Sequence, residues 1–193
     1  RTFYSRFLFN GEVISGDVRS VTIYKGSSGE SEFIPGSIYS SYIDVVIDNC
    51  TDSLEGKELQ YQIGVVLDTD VEWYDIGWYT VNKPSASVYT TSFTGLGRLS
   101  AKMGSVYVSE LTYPATIQAV LNEISQKTGV SIDASSFDTS GMIQTKPSGY
   151  MHREVLAFIA GIFMGYATEG SSGNIIFGKF NTTESVIETD GDR

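Results

Sequence analysis

The pattern of apolar residues changes near residue 95 of this 193-residue chain, and that change constrains the fold more than any single motif. Before it, apolar and polar residues alternate with the period of two that is typical of β-strands, interrupted by Gly, Asp and Ser. After it, apolar residues recur at helical spacing, and the longest such segment covers residues 150–166 (YMHREVLAFIAGIFMGY). The order predicts an α+β protein with an antiparallel β-barrel or β-sandwich module over residues 1–90 and a small α+β module over residues 91–193.

Six segments of the first half are rich in Val, Ile, Tyr and Phe, and each predicts a strand. They cover residues 3–9, 18–24, 42–47, 58–67, 76–81 and 88–93. Turn signals such as Asn10-Gly11 and Pro35-Gly36 lie between them, and the loops are too short for crossover helices. The strands are therefore expected to pair antiparallel. Residues 83–87 (KPSAS) predict a linker or turn before the last strand.

The second half predicts two main helices and a terminal β-hairpin. A helix over residues 116–127 has Thr116 as its N-cap and Gly129 as its C-terminal stop. Four apolar residues at helical spacing form its buried face: Ile117, Val120, Leu121 and Ile124. The last strand is predicted over residues 174–180, after a turn at residues 170–173.

A second helix is predicted to begin near Met151 and to form the core of the second module. Its apolar face is too wide for a surface helix. The expected buried residues are Val155, Leu156, Phe158, Ile159, Ile162 and Phe163. The small residues Ala157, Ala160 and Gly161 predict the close approach of a neighbouring element.

The charge balance argues against a protein that binds nucleic acid stably. The chain has 13 Lys and Arg residues against 23 Asp and Glu residues, which gives a net charge of -10. An acidic surface repels phosphates and offers few cations for counterion release. No segment reaches the roughly 20 apolar residues of a membrane-spanning helix, so no membrane span is expected.

Catalytic and metal-binding residue sets are missing from the sequence. His152 is the only histidine and Cys50 the only cysteine, and they lie in different predicted modules. His152 is expected to begin a helix, and Cys50 to be packed or half-buried. Carboxylates cluster over residues 68–75, as they do in calcium-binding loops. An EF-hand loop that began at Asp68 would need Gly at position 73 and Glu at position 79, but the chain has Trp73 and Tyr79 there. A solvated hairpin loop is therefore predicted. We therefore expect no catalytic residue, cofactor or metal, and no enzyme.

Four aromatic residues in one predicted hairpin are the candidates for contact with a ligand or a protein: Trp73, Tyr74, Trp78 and Tyr79. Such side chains stack on sugar rings or anchor protein interfaces. They also pack well within strands, which is the simpler interpretation.

Three segments carry a resemblance to a known family. The run at residues 151–161 (MHREVLAFIAG) is followed by Gly165 and the strand NIIF at residues 174–177. Two earlier segments are IGWYTV at residues 76–81 and YPAT at residues 113–116, the latter before the helix that ends at Gly129. Together they resemble the baseplate hub, or tail-tip, proteins of long-tailed phages and prophages, whose members are similar to the T4 hub. The resemblance covers about residues 64–180, and residues 95–99 depart from the family pattern.

The resemblance implies a structural role at the virion tail tip. Three copies of the full-length protein would form a ring that closes the tail tube and opens for passage of DNA, which is not stably bound. The implied partners are the distal tail ring protein and the tape-measure protein, and the implied place of synthesis is the cytoplasm of the bacterial host. The alternative is a carbohydrate- or receptor-binding β-module that uses the aromatic hairpin.

Overall fold

The computed structural model describes residues 3–26, 34–67 and 70–180. In the first half the strands are β1 (Phe3–Phe9), β2 (Glu12–Val13), β3 (Asp17–Lys25), β4 (Ser37–Tyr39), β5 (Ser41–Asp48), β6 (Glu58–Leu67), β7 (Asp70–Ala86) and β8 (Thr90–Gly97). The second half contains α1 (Arg98–Ala101), β9 (Ala115–Thr116), α2 (Ile117–Thr128), β10 (Ile132–Asp133), β11 (Met142–Ile143), α3 (His152–Ile162), β12 (Gly165–Glu169) and β13 (Ile175–Lys179). The α+β class predicted from the sequence is confirmed.

Seven strands of the first half form one antiparallel sheet in the order β2-β1-β6-β7-β8-β5-β3. The sheet is rolled, because Phe7 of β1 lies 6.0 Å, centroid to centroid, from Phe93 of β8, three strands away in the order. Inward side chains of both ends thus share one apolar core. Among the described strands no ladder joins β2 to β3, so the sheet does not close into a barrel.

β7 is longer than predicted, and the linker expected at residues 83–87 is wrong. β7 continues to Ala86, and the pairing with β8 shifts between Asn82 and Ser85. This bulge accommodates Pro84, which has no N–H to donate, and Lys83 with its positive φ of 47°. The hairpin predicted between β6 and β7 is present as a pair of antiparallel strands, although its turn residues 68–69 lie outside the described residues.

The second module contains a four-stranded sheet in the order β10-β13-β12-β4. The β12–β13 hairpin is the predicted terminal hairpin. β4 comes from the first half of the chain and pairs parallel to β12, with Ile38 opposite Ala167. The sequence did not predict this exchange. The predicted boundary between the two modules at residue 90 remains a prediction. β8, which covers residues 90–97, pairs within the first sheet.

α3 packs against β4 and β12 as its small residues predicted. At Gly36, just before β4, a Cβ atom would come within 2.8 Å of the Ala157 carbonyl oxygen and 3.4 Å of the Gly161 Cα. Gly36 also has a positive φ of 86°, which L side chains rarely adopt. Glycine at position 36 therefore permits the close contact between α3 and the start of β4.

The helices match the sequence prediction in position but not in every buried residue. α2 begins after Thr116, whose Oγ1 accepts from the Ala119 N–H at 3.1 Å, and ends at Gly129 in the left-handed conformation. In α3, Phe158 and Ile162 are exposed rather than buried. Val155, Leu156 and Ile159 are buried as predicted, and Ala160 is buried beside them. No described helix has the length and apolar character needed to cross a membrane.

Candidate functional site

The four candidate aromatic residues do not form one surface. Tyr79 is only 1% exposed and belongs to the core of the first sheet. Trp78 is half-buried where the two modules meet. Trp73 and Tyr74 lie nearer the start of β7. Tyr74, which is 46% exposed, is the most accessible of the four. Their role in contact with a ligand or partner remains a prediction.

Trp73 is held against its own sheet. The Arg6 guanidinium carbon lies 3.7 Å from the centroid of the Trp73 ring, which is the geometry of a cation–π contact. The ring also lies over Gly64, where a Cβ would come within 3.1 Å of two ring carbons. Arg6 in turn donates to Gln62 Oε1 at 2.8 Å. These contacts occupy much of the ring surface that a sugar would need.

The β6–β7 hairpin extends beyond the end of β8, and we call its outer part, residues 62–67 and 70–77, the hairpin arm. On its other side, β6 of the arm pairs with β1, where Phe3 lies opposite Val65. Pairing of β7 with β8 begins only at Tyr79, so within the described strands the arm side of β7 pairs with β6 alone. Leu67, Val71 and Tyr74 are exposed apolar residues on the arm. An unpaired strand edge beside apolar side chains is a surface that proteins normally cover.

A buried carboxylate lies where the two modules meet, and we call this region the junction. Glu169, at the end of β12, accepts hydrogen bonds from the Ser41 N–H at 2.9 Å and from the Leu99 N–H at 2.6 Å. The Ser41 hydroxyl also donates to it, and the Ser40 hydroxyl lies at 3.4 Å. Burial raises the pKa of Glu169, although these hydrogen bonds act in the opposite direction. Glu169 thereby connects β5, α1 and β12.

An arginine makes the second polar connection across the junction. Arg98 donates two hydrogen bonds to the Glu58 carboxylate, at 2.9 and 3.1 Å, and a third to the Gly173 carbonyl oxygen at 2.6 Å. Its guanidinium carbon lies 4.7 Å from the Trp78 ring centroid. The bidentate geometry with Glu58 fixes the orientation of α1 relative to β6.

A small cavity lies beside these two groups. Its volume is about 10 Å³, and its lining includes Trp78 and Glu169 together with two cations, Lys25 and Arg98. Trp78 Nε1 is a buried donor without a hydrogen-bond partner among the described residues. A cavity of this size can hold at most about one water molecule.

A second buried carboxylate stabilises the second module. Glu123 of α2 accepts hydrogen bonds from the Tyr107 hydroxyl, the Ser109 hydroxyl at 2.7 Å and the Glu110 N–H at 2.6 Å. Burial acts to raise the pKa of Glu123, but the hydrogen bonds outweigh it and lower the pKa below its usual value. Burial, and after it the hydrogen bond to Glu123, raises the pKa of Tyr107. The sequence analysis missed both Glu123 and Glu169, because an isolated glutamate on an element carries no spacing signal.

The single histidine and cysteine are placed as expected. His152 begins α3 and is 5% exposed, with Nδ1 2.9 Å from the Ser105 carbonyl oxygen. Cys50 is half-buried against the core of the first sheet. The part of the chain that the structure describes contains no group of three or more His, Cys, Asp or Glu residues placed to hold a metal ion.

Comparison with known proteins identifies the fold. No protein-family model matches the chain, and no curated protein matches it. The crystal structure of the tail protein from Neisseria meningitidis MC58 matches with a TM-score of 0.60 at 15% identity, over 92% of this chain and 51% of that protein. The 43 kDa tail protein of prophage MuSo2 from Shewanella oneidensis matches with a TM-score of 0.62 at 12% identity, over 96% of this chain and 58% of that protein. The chain thus shares its fold with both tail proteins and spans somewhat more than half the length of each.

Proposed function

We propose, from the fold that this chain shares with two tail proteins, that it is a structural component of a phage or prophage tail. The observation that carries the proposal is the extent of the match, which covers 92% of this chain in one comparison and 96% in the other. The role is structural rather than enzymatic, and the place of action is the virion tail. Synthesis in the cytoplasm of the bacterial host follows from that assignment.

The finer proposal is a baseplate hub of the T4 type at the tail tip. Three copies of the full-length protein form a ring that closes the tail tube, in contact with the distal tail ring protein and the tape-measure protein. The resemblance of residues 151–161 and 76–81 to tail hub proteins supports it. The net charge of -10 is compatible with a channel through which DNA passes without binding, because an acidic wall repels phosphates.

The hairpin arm is the proposed contact between subunits. Its β7 edge is unpaired within the described strands, and its exposed Leu67, Val71 and Tyr74 supply apolar area for a partner. A neighbouring copy that covers this edge would satisfy its backbone groups and bury these side chains.

The alternative proposal, a carbohydrate- or receptor-binding module, has less support from the geometry. Such a module needs aromatic rings with a free face. Tyr79 is in the core, the Trp73 ring lies between Arg6 and Gly64 contacts, and Trp78 faces Arg98. Of the four candidate aromatic residues, Tyr74 has the most accessible ring.

Light scattering across a concentration series tests the ring. We expect a trimer, or a monomer–trimer equilibrium, for the wild-type chain. Val71→Lys places a charge on the arm edge and is expected to leave monomer only. Val88→Lys is the matched control, because Val88 is 85% exposed at the β7–β8 turn, and it should assemble like the wild type. A strict monomer in all three proteins would contradict the arm as a subunit contact.

The tail-tip position needs a separate test. Antibodies against this chain, applied to phage particles in the electron microscope, should label the end of the tail distal to the head. Label along the tail shaft or at the head would contradict the hub assignment.

A further inference from the structure

The two modules have separate apolar cores. The core of the first sheet and the core around α2 and α3 share no residue among those described. Apolar burial stabilises each module internally, but no common core fixes their relative orientation. That orientation depends on the polar contacts of the junction.

Within the described residues, the chain crosses between the modules at two closely placed points. The first lies between β4, which ends at Tyr39 in the second sheet, and β5, which begins at Ser41 in the first. The second lies between β8, which ends at Gly97, and α1, which begins at Arg98. β3 and β4 also lie in different sheets, and residues 27–33 between them are outside the described residues.

Glu169 contacts both of the described crossings. Its carboxylate accepts the Ser41 N–H and hydroxyl at the first crossing and the Leu99 N–H at the second. It also fills the space above Gly97, where a Cβ would come within 2.5 Å of Oε1 and closer still to Oε2. One side chain of the second sheet therefore binds the backbone at both points about which the modules would turn.

The other main polar contacts of the junction are those of Arg98, which bonds both Glu58 and the Gly173 carbonyl oxygen. The Arg98–Glu58 pair keeps some exposure, with side chains 17% and 22% accessible, and so is weakened by solvent. The small cavity and Trp78 Nε1, which has no hydrogen-bond partner among the described residues, lie at the same place. Regions of a protein with few buried apolar contacts open at a lower free energy than packed cores do.

We propose that the Ser40–Ser41 and Gly97–Arg98 crossings form a hinge between the modules and that Glu169 holds this hinge in the orientation of the structure. Loss of the carboxylate frees the second module to rotate relative to the first while each core stays folded. The hinge is a property of this chain and does not depend on the proposed function. A change of module orientation is thereby available to the chain without unfolding.

Spin-label distance measurement tests the hinge directly. Labels at Thr22→Cys on β3 and Gln126→Cys on α2, both exposed positions, report one distance across the junction in a Cys50→Ser background. We expect a single narrow distribution for the otherwise wild-type chain and a broad or multiple one for Glu169→Ala. Glu110→Ala is the matched control, because that glutamate lies on the second module, is 83% exposed and makes no junction contact, and its distribution should stay narrow.

Hydrogen exchange separates a hinge from a general loss of stability. In Glu169→Ala, the amides of Ser41 and Leu99 should exchange about tenfold faster or more, while core amides such as those of Val45 and Ile124 keep their protection. An unchanged distance distribution would overturn the proposal, as would loss of protection throughout either core. If Glu169→Ala does not fold, the Ser40→Ala/Ser41→Ala double variant removes two hydroxyl donors to the same carboxylate. It should broaden the distribution partly, and a distribution identical to the wild type would equally overturn the hinge.

Discussion

Replacement of Glu123 by alanine should be among the most damaging single changes to the second module. The Glu123 side chain is 9% exposed, and its carboxylate is the acceptor for the Tyr107 and Ser109 hydroxyls and the Glu110 N–H. Tyr107 and Ser109 are 1% and 2% exposed, so water cannot replace the lost acceptor without rearrangement. Each buried polar group left unpaired costs about 1–3 kcal/mol, and two such hydroxyls give a loss of about 2–6 kcal/mol.

A double-mutant cycle with Tyr107→Phe isolates the interaction. In the wild-type background this change removes one hydroxyl donor and should cost about 1 kcal/mol. In the Glu123→Ala background it removes an orphaned hydroxyl, so it should be neutral or stabilising. The two measurements together predict a coupling free energy of about 1–3 kcal/mol between the side chains.

Urea unfolding followed by circular dichroism at neutral pH supplies the free energies of unfolding. Glu110→Ala is the control, because it removes an exposed carboxylate whose ion pair with Lys127 contributes little. The reasoning fails if Glu123→Ala is no more costly than the control, or if Tyr107→Phe costs the same in both backgrounds. Acid gives a further check: because the pKa of folded Glu123 lies below its ordinary value of 4.5, the stabilisation is present above pH 4.5 and is lost as pH falls through the folded pKa.

Glu169 should show the opposite pH dependence. Burial raises the pKa of folded Glu169 above 4.5, so the stability of the wild type relative to Glu169→Gln is greatest below pH 4.5 and falls as pH rises through the folded pKa. Urea unfolding of both proteins from pH 4 to 8 measures this difference in the free energy of unfolding. A difference that grows with pH would contradict the raised pKa. Gly165→Ala should destabilise the protein by about 1–3 kcal/mol, because its Cβ would overlap the Gly178 carbonyl oxygen. Gly141→Ala, whose nearest neighbour is a side-chain methyl at 3.4 Å, should cost far less, and equal thermal stability of the two variants would argue against the clash.

The sequence predicted correctly those strands and helices whose bounds are set by residues close to one another in the chain. The bounds of β1 and β6 match those predicted, because both segments are rich in aromatic and β-branched residues. α2 was predicted with both caps, since Thr116 and Gly129 act on neighbouring backbone groups.

Features that depend on distant contacts were not predictable from the same signals. β4 contains three residues, and its partner β12 lies more than 120 residues further along the chain. The exposure of Phe158 and Ile162 depends on which face of α3 meets the second sheet, and an apolar helix offers two such faces. Glu123 and Glu169 acquire their roles only from donors on other segments.

The placement of β4 in the second sheet has a consequence for synthesis of the chain. Thr168 of β12 donates to the Tyr39 carbonyl oxygen across a separation of 129 residues, so β4 leaves the ribosome long before its partner exists. At about 5–20 residues per second, that delay is roughly 6–26 s. For that time the nascent chain carries an unpaired strand between two strands of the first sheet. Native docking of β4 is therefore a late event, and cellular chaperones have a defined interval in which to protect it.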